Sequence, residues 1–335
     1  MSYELRRQPS GVMALHHRGY RETMHPGLGP WQEAQELYLA ASRLRALLLE
    51  PGEAGGRAGR GAGGVVVFDV GLGAAANALA ALVCRLELER QGFKPRPLTV
   101  VSFENDCGPA RFALAHASQL GYLLGHEKGL EALLREGRWE DGEGVCWELR
   151  QGDFTQLVFQ EPRRADVIFF DPFSPRANPH MWSLATLTGL FNCRRPGATT
   201  RLVTYSASFA ARAALMLAGF FVGEWLADAG ARPGTEAATE ISALSAPLGG
   251  GWLGRWRRDR LPWPPLTAPA DYRRLREALA DHPQWSGLEP SATPAAPVAA
   301  PDRQRATAAR QHRGPARVAE KGTRMPGKKR RQSRE

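Results

Sequence analysis

Residues 65–77 read VVVFDVGLGAAAN. The first six are apolar except for Asp69 and rich in β-branched valine, and they follow a glycine-rich linker at 51–64, PGEAGGRAGRGAGG. A short, continuous apolar run of this kind predicts a strand buried on both faces of a sheet. Gly71 and Gly73 then supply a tight turn, and the alanines that follow open a helix. Glycine lets the backbone turn sharply and lets a ligand approach it, while a helix N-terminus offers free N–H groups.

Outward from this strand the alternation repeats. Helices are predicted over 74–91, 109–121, 180–192 and 210–219, with a short one near 154–160, and strands over 98–104, 145–150, 166–171 and 199–206. FFVGEWL (220–226) and TEISALS (239–245) end the pattern as two strands with a short link, which suits an antiparallel hairpin. The fold class is therefore α/β: a Rossmann-like, doubly wound, mostly parallel sheet with a C-terminal antiparallel hairpin. Ahead of it, residues 1–30 look irregular and 31–49 predict one helix from apolar residues at helical spacing (Leu37, Ala40, Ala41, Leu44, Leu47, Leu48). The organisation expected is an N-terminal segment with one helix and a linker (1–64), the sheet domain (65–250), a Trp- and Arg-rich extension with a short helix at 271–281 (251–285), and a disordered basic tail (286–335).

A length of 335 residues allows one or two domains, and 43% hydrophobic content is enough for a core. The net charge of +10 is concentrated at one end. Residues 302–335 carry twelve Lys/Arg against three acids, a net of +9, which leaves residues 1–301 near neutral. Cys84, Cys107, Cys146 and Cys193 lie far apart with no CxxC pair, so neither a disulfide framework nor a metal site is expected, and free thiols suit the cytoplasm. No apolar run is long enough for a signal peptide or a membrane span.

Four stretches carry chemistry. In 68–77 the third glycine of a dinucleotide fingerprint is replaced by Ala76, and Asp69 stands two residues before Gly71. An acid ahead of such a turn suits S-adenosylmethionine, whose amino-acid end is cationic; a plain strand–helix turn is the alternative. Glu104 ends the next strand, where a carboxylate can accept from both ribose hydroxyls; a solvated strand end is the alternative. Asp153, after Gly152, suits either an adenine amino group or a helix N-cap. Asp171 opens DPFSPRANPHMW (171–182), at the carboxyl edge where open α/β sheets bind ligands. Pro172, Pro175 and Pro179 stiffen this loop, and Asn178 with Pro179 reads as a cap and first helical residue.

This combination resembles a known family. DPFSPRANPHMW is similar to the D-x-F-x-P-x-x-N-P-x-x-W signature of the methyltransferase domain of MnmC, the tRNA 5-methylaminomethyl-2-thiouridine biosynthesis protein. DVGLGAAAN, SFEND…ARFALAHA and RPGATTRLVTYSASFAARAALMLAGF resemble that family's other segments, over about residues 20–245. The resemblance implies a class I S-adenosylmethionine-dependent methyltransferase acting on the 5-aminomethyl group of a wobble uridine in tRNA. By position, Asp69, Gly71, Gly73 and Asn77 would form the cofactor turn, with Glu104 at the ribose and Asp153 at the adenine. Asp171 would face the reacting amine, and Phe173, Pro175, Asn178, Pro179 and Trp182 would shape the pocket. Ala75 stands where the family has its third glycine, and Pro172 where bifunctional members commonly have glycine. The flavin-dependent oxidase domain of those members does not fit in the roughly 90 residues after 245, so a separate flavin-dependent oxidoreductase is the expected partner.

Phosphate contacts are expected from the basic tail. Arg255, Arg257, Arg258 and Arg260 with Trp252, Trp256 and Trp263 form a second basic–aromatic cluster, suited to single-stranded anticodon bases or to plain core packing. Competing readings are a methyltransferase acting on a small amine or other nucleophile, a nicotinamide-dependent oxidoreductase, and a non-catalytic RNA-binding protein of the same fold.

Overall fold

The computed structural model describes residues 2–51, 63–226, 233–258 and 263–286. Most of the glycine-rich linker, the side chain of Arg258, Arg260 and the basic tail beyond 286 lie outside the described residues.

The sequence VVVFDV forms β4 (Val65–Val70), flanked in a parallel sheet by β5 (Leu98–Glu104) and β8 (Val167–Phe170). Outside these run β7 (Val145–Gln151) and β9 (Arg201–Thr204), also parallel. The rims are antiparallel. β6 (Arg138–Glu140) lies beyond β7, and β11 (Gly234–Ala238) and β10 (Phe221–Trp225) lie beyond β9. The eight strands run in the order β10-β11-β9-β8-β4-β5-β7-β6. The chain leaves β4 towards one side through β5 and returns to its other side with β8. The carboxyl ends of β4 and β8 therefore meet at the switch point, where such sheets open a crevice.

Alternation along the strands explains why the runs are apolar throughout. Val65, Val67, Val100, Val167 and Phe169 pack on one face, and Phe68, Val70, Val101, Ile168 and Phe170 on the other. Helix Ala76–Arg90 covers the first face, and helices Leu184–Asn192 and Phe209–Ala218 the second. Each such side chain withdrawn from water contributes roughly 1.5–3 kcal/mol.

Several expectations are corrected. Residues 1–30 are not irregular: β1 (Tyr3–Arg7), β2 (Met13–His17) and β3 (Glu22–Thr23) form an antiparallel sheet. Its first turn is closed by Gln8 N–H to the Val12 carbonyl at 2.8 Å, with Gly11 at φ 87°. The predicted helix at 31–49 is interrupted. A π-helical turn occupies Ala34–Leu39, and Arg43, at φ 55°, separates Ala40–Ser42 from Leu44–Leu49. The last strand is Gly234–Ala238, not 239–245. Glu236 at its centre disguises it: this buried carboxylate accepts from the backbone N–H of Ser245 and of Ala246 rather than from water. Helix Glu127–Glu136 and β6 were not predicted, although Leu130, Leu133 and Leu134 have helical spacing.

Candidate active site

The turn after β4 is built so that two strands' ends can touch. Gly71 stands at φ 97°, its N–H donates to the Phe103 carbonyl at 3.0 Å, and a Cβ there would lie 2.6 Å from the Asp171 carbonyl oxygen. Only glycine fits so close to another backbone. Gly73 N–H donates to Glu104 Oε2 at 3.0 Å, and Asp106 N–H to Oε1 at 3.0 Å. Burial raises the pKa of Glu104 although these amides favour its anion. Ala75, at the family's third glycine position, adopts φ 68° all the same.

Asp171 follows β8 directly, its N–H donating to the Val70 carbonyl at 2.9 Å. Its Oδ2 accepts from Asn77 Nδ2 at 2.8 Å and lies 3.7 Å from His25 Nε2. Burial pushes its pKa up to about 6, against the pull of His25. Burial pulls His25 down, but the carboxylates of Asp171 and Glu33, the latter 3.3 Å from Nδ1, outweigh it and hold the ring up at about 9. Asp69 lies beneath the turn at the register position of Ser102, whose hydroxyl donates to its Oδ2 at 2.7 Å. Burial pushes Asp69 up to about 8.

These groups border a cleft of about 1040 Å³. Of the residues expected from sequence, Gly71, Gly73, Glu104, Asp153, Asp171, Phe173 and Asn178 line it. Asp69 and Asn77 do not; they are buried under its floor. Pro175, Pro179 and Trp182 do not line it either. Trp182 is fully buried and supports the loop from behind, donating from Nε1 to the Phe173 carbonyl at 2.9 Å. Asp153 is the N-cap of the helix Phe154–Leu157, accepting from Thr155 N–H at 2.9 Å, and faces the cleft as well. Asn178 is not a helix cap: Ser183 caps the helix that starts at Leu184.

Sequence reasoning missed the far wall. Tyr20, Arg21, Glu22, His25, Glu33 and Glu36 come from the N-terminal sheet and the segment after it. The spacing of YELRR and MALHH around a Pro-Ser-Gly turn was a hairpin signal, but nothing local placed it over the switch point. The basic–aromatic cluster, by contrast, is largely core. Trp252 stacks on Phe209 at 5.3 Å, Trp256 is buried, and Trp263 stacks on Tyr272 at 4.5 Å, while Arg255 and Arg257 are exposed. The buried rings of Trp252 and Trp256 are not free to stack on RNA bases, and Trp263 is half-buried.

The comparisons agree with this geometry. A family model described as S-adenosyl-L-methionine-dependent methyltransferase matches residues 132–240, which include the Asp171 loop. Over 130 residues the chain is 34% identical to the tRNA 5-methylaminomethyl-2-thiouridine biosynthesis bifunctional protein MnmC of Acidovorax sp. (strain JS42), covering 39% of this chain and 19% of that protein. Over 82 residues it is 38% identical to the protein of the same name from Paracidovorax citrulli (strain AAC00-1), covering 24% of this chain and 13% of that one. The crystal structure of MNMC2 from Aquifex aeolicus superposes with a TM-score of 0.60 at 22% identity, over 84% of this chain and 83% of that one, and so shares its fold. The chain is thus similar, over about a third of its length, to S-adenosyl-L-methionine-dependent methyltransferases and to part of MnmC. It spans less than a fifth of the length of those two bifunctional relatives.

The sheet has the Rossmann-like class I arrangement, and the family model that matches 132–240 is one of S-adenosyl-L-methionine-dependent methyltransferases. The residues present fit that group. Gly71 and Gly73 line the cleft with backbone alone. Asp69 Oδ1 and Asn77 Oδ1 are buried beside it without a hydrogen-bond partner among the described residues. Glu104 keeps lone pairs free beyond the two amides it accepts from. Among the described residues no helix is long and apolar enough to cross a membrane.

Proposed function

We propose that this chain transfers a methyl group from S-adenosylmethionine to a primary amine, the 5-aminomethyl group of a wobble (2-thio)uridine in tRNA. The observation that carries the reading is the charge of the cleft. Glu22, Glu33, Glu36, Glu104, Asp153 and Asp171 line it, against Arg21, His25 and His180, in a chain whose net charge is +10. Such a lining attracts a cation and repels phosphate, so an ammonium enters while a nucleic-acid backbone stays at the rim. The tRNA is supported by the printed function of the MnmC relatives and by the net +9 of residues 302–335, which suits counterion release from phosphates. A tRNA acceptor places the reaction in the cytoplasm, and a flavin-dependent oxidoreductase acting on the same base is the partner this reading calls for.

Gly71 and Gly73 would hold the amino-acid end of the cofactor, with Asp69 and Asn77 supporting that turn from beneath, Glu104 the ribose, and Asp153 the adenine. When bound, S-adenosylmethionine supplies an electrophilic methyl on a sulfonium sulfur. The acceptor ammonium would first lose one proton to solvent, and its freed lone pair would then take that methyl as the bond to sulfur breaks and the sulfur keeps the electron pair. Asp171 holds the incoming ammonium and points its nitrogen along the line of transfer; such positioning supplies much of the acceleration. Its elevated pKa still leaves it ionised at neutral pH, and Asn77 and His25 fix its orientation.

Transfer of labelled methyl to tRNA lacking the wobble methyl tests the proposal, with Asp171→Asn assayed alongside. We expect label in the tRNA, and in the variant a kcat lower by about two to three orders of magnitude with cofactor affinity held within about threefold. Label entering only small amines would move the acceptor away from tRNA, and full turnover in the variant would remove Asp171 from the chemistry.

A further inference from the structure

At the mouth of the cleft stands an aromatic pair that the chemistry above leaves unused. Tyr20 stacks on Phe173 with ring centroids 4.3 Å apart and planes at 27°, and both rings line the cleft. Tyr20 is 44% exposed. It is nonetheless held in place. His17 Nδ1 accepts from the N–H of Gly19 at 3.1 Å and of Tyr20 at 3.2 Å, which locks the turn between β2 and β3. The same imidazole packs edge-on against both Tyr20 and Phe173, at 4.7 and 5.5 Å. Phe173 is fixed from behind by Trp182, and the next residue, Ser174, donates from its backbone N–H and its hydroxyl to Glu22. Arg21, beside the pair, is exposed and takes the left-handed φ of 55°, a conformation that side-chain-bearing residues hold chiefly where surrounding contacts or function require it.

Packing alone accounts for Phe173 and His17. It does not account for a rigid, half-exposed ring at the entrance of an acidic cleft. The acids exclude phosphate from the floor, so only the base and its amine can pass the rim. A flat ring entering there meets the exposed face of Tyr20, and Arg21, next in the chain, is exposed on the same lining. We propose that Tyr20, backed by Phe173, is the platform on which the acceptor's nucleobase stacks, orienting the aminomethyl group towards Asp171. This rests on the tRNA wobble-uridine reading above and adds to it how the base is gripped.

The test uses the full chain and a short anticodon stem-loop RNA carrying 5-aminomethyluridine at the wobble position, with the free nucleoside as a second acceptor. Stacking of one base on an aromatic ring sets the expected size: Tyr20→Ala raises KM for both acceptors by about ten- to a hundredfold. S-adenosylmethionine affinity by calorimetry stays within about threefold, and Tyr20→Trp and Tyr20→Phe, which keep a flat ring, restore most of the lost affinity. An unchanged KM in Tyr20→Ala, with wild-type protein active, overturns the platform and leaves the tRNA reading intact. So does a rise in KM for the stem-loop but not the nucleoside, or an equal loss of cofactor affinity. Wild-type protein that methylates neither acceptor overturns both.

Discussion

His25 takes a left-handed conformation, φ 53°, that costs a non-glycine residue roughly 1–2 kcal/mol. The cost is met by its surroundings: a buried imidazole with Glu33 on one nitrogen and Asp171 near the other, and Asp69 and Asn77 packed behind Asp171. It touches no acceptor in the proposed reaction, and acts by keeping Asp171 ionised and in place. Removing its positive charge favours protonated Asp171, so the pKa of that carboxyl rises further above about 6. His25→Asn, which tolerates the same backbone angle, should therefore move the acid limb of the kcat/KM profile upward by about one pH unit. A uniform loss of activity at every pH would mean that His25 is only packing. Ala75 makes a related point: its φ of 68° is the angle a glycine would supply, and the turn closes around it with the methyl buried in the core.

Among the elements, the N-terminal sheet changes most between expectation and structure. Its strands leave little signal in the sequence, because each is only two to five residues long and weakly patterned. What gives it a role is a long-range clasp, Glu22 to Ser174, across 152 residues of sequence. Glu22→Ala leaves the Ser174 amide without its acceptor, and losing a part-buried hydrogen bond to a charged group of this kind costs about 1–2 kcal/mol. Amide exchange across Met13–Thr23 should then speed up by about tenfold while β4 and β5 stay protected. Unchanged exchange would show that the sheet is held by packing alone, through the contacts of Tyr3 and His17 with Phe112 and Phe173.

For the whole molecule, the site acids that burial raises, Glu104 among them, and His25 bind protons more tightly folded than unfolded. Asp171 and Asp69 are pushed up to about 6 and about 8, chiefly by burial, and His25 is held up at about 9 by carboxylates that outweigh its burial. Through these groups the folded state binds more protons than the unfolded one between about pH 4 and about pH 9, and their contribution to stability falls as pH rises, partly offset near neutral pH by His16, His126 and His282, which burial holds down. The cofactor-free protein should melt several degrees lower at pH 8.5 than at pH 5.5, and Asp69→Asn should flatten that slope. A melting point that climbs across the same range would contradict the assigned burial of these carboxylates.

By itself the sequence determined the parallel sheet, because strands buried on both faces must be apolar at every position, and that pattern is local. It also determined the positions of Gly71, Glu104, Asp153 and Asp171, since a turn after a strand announces itself through glycine, proline and single acids within a few residues. Only the tertiary structure decided that Asp69 and Asn77 lie under the floor rather than in the cleft, that Trp182 is a buttress, and that His25, Glu33 and Tyr20 complete the far wall. Those facts depend on which face of a strand meets which neighbour and on a small sheet crossing to the switch point. Contacts between residues more than a hundred positions apart leave no periodicity in the chain.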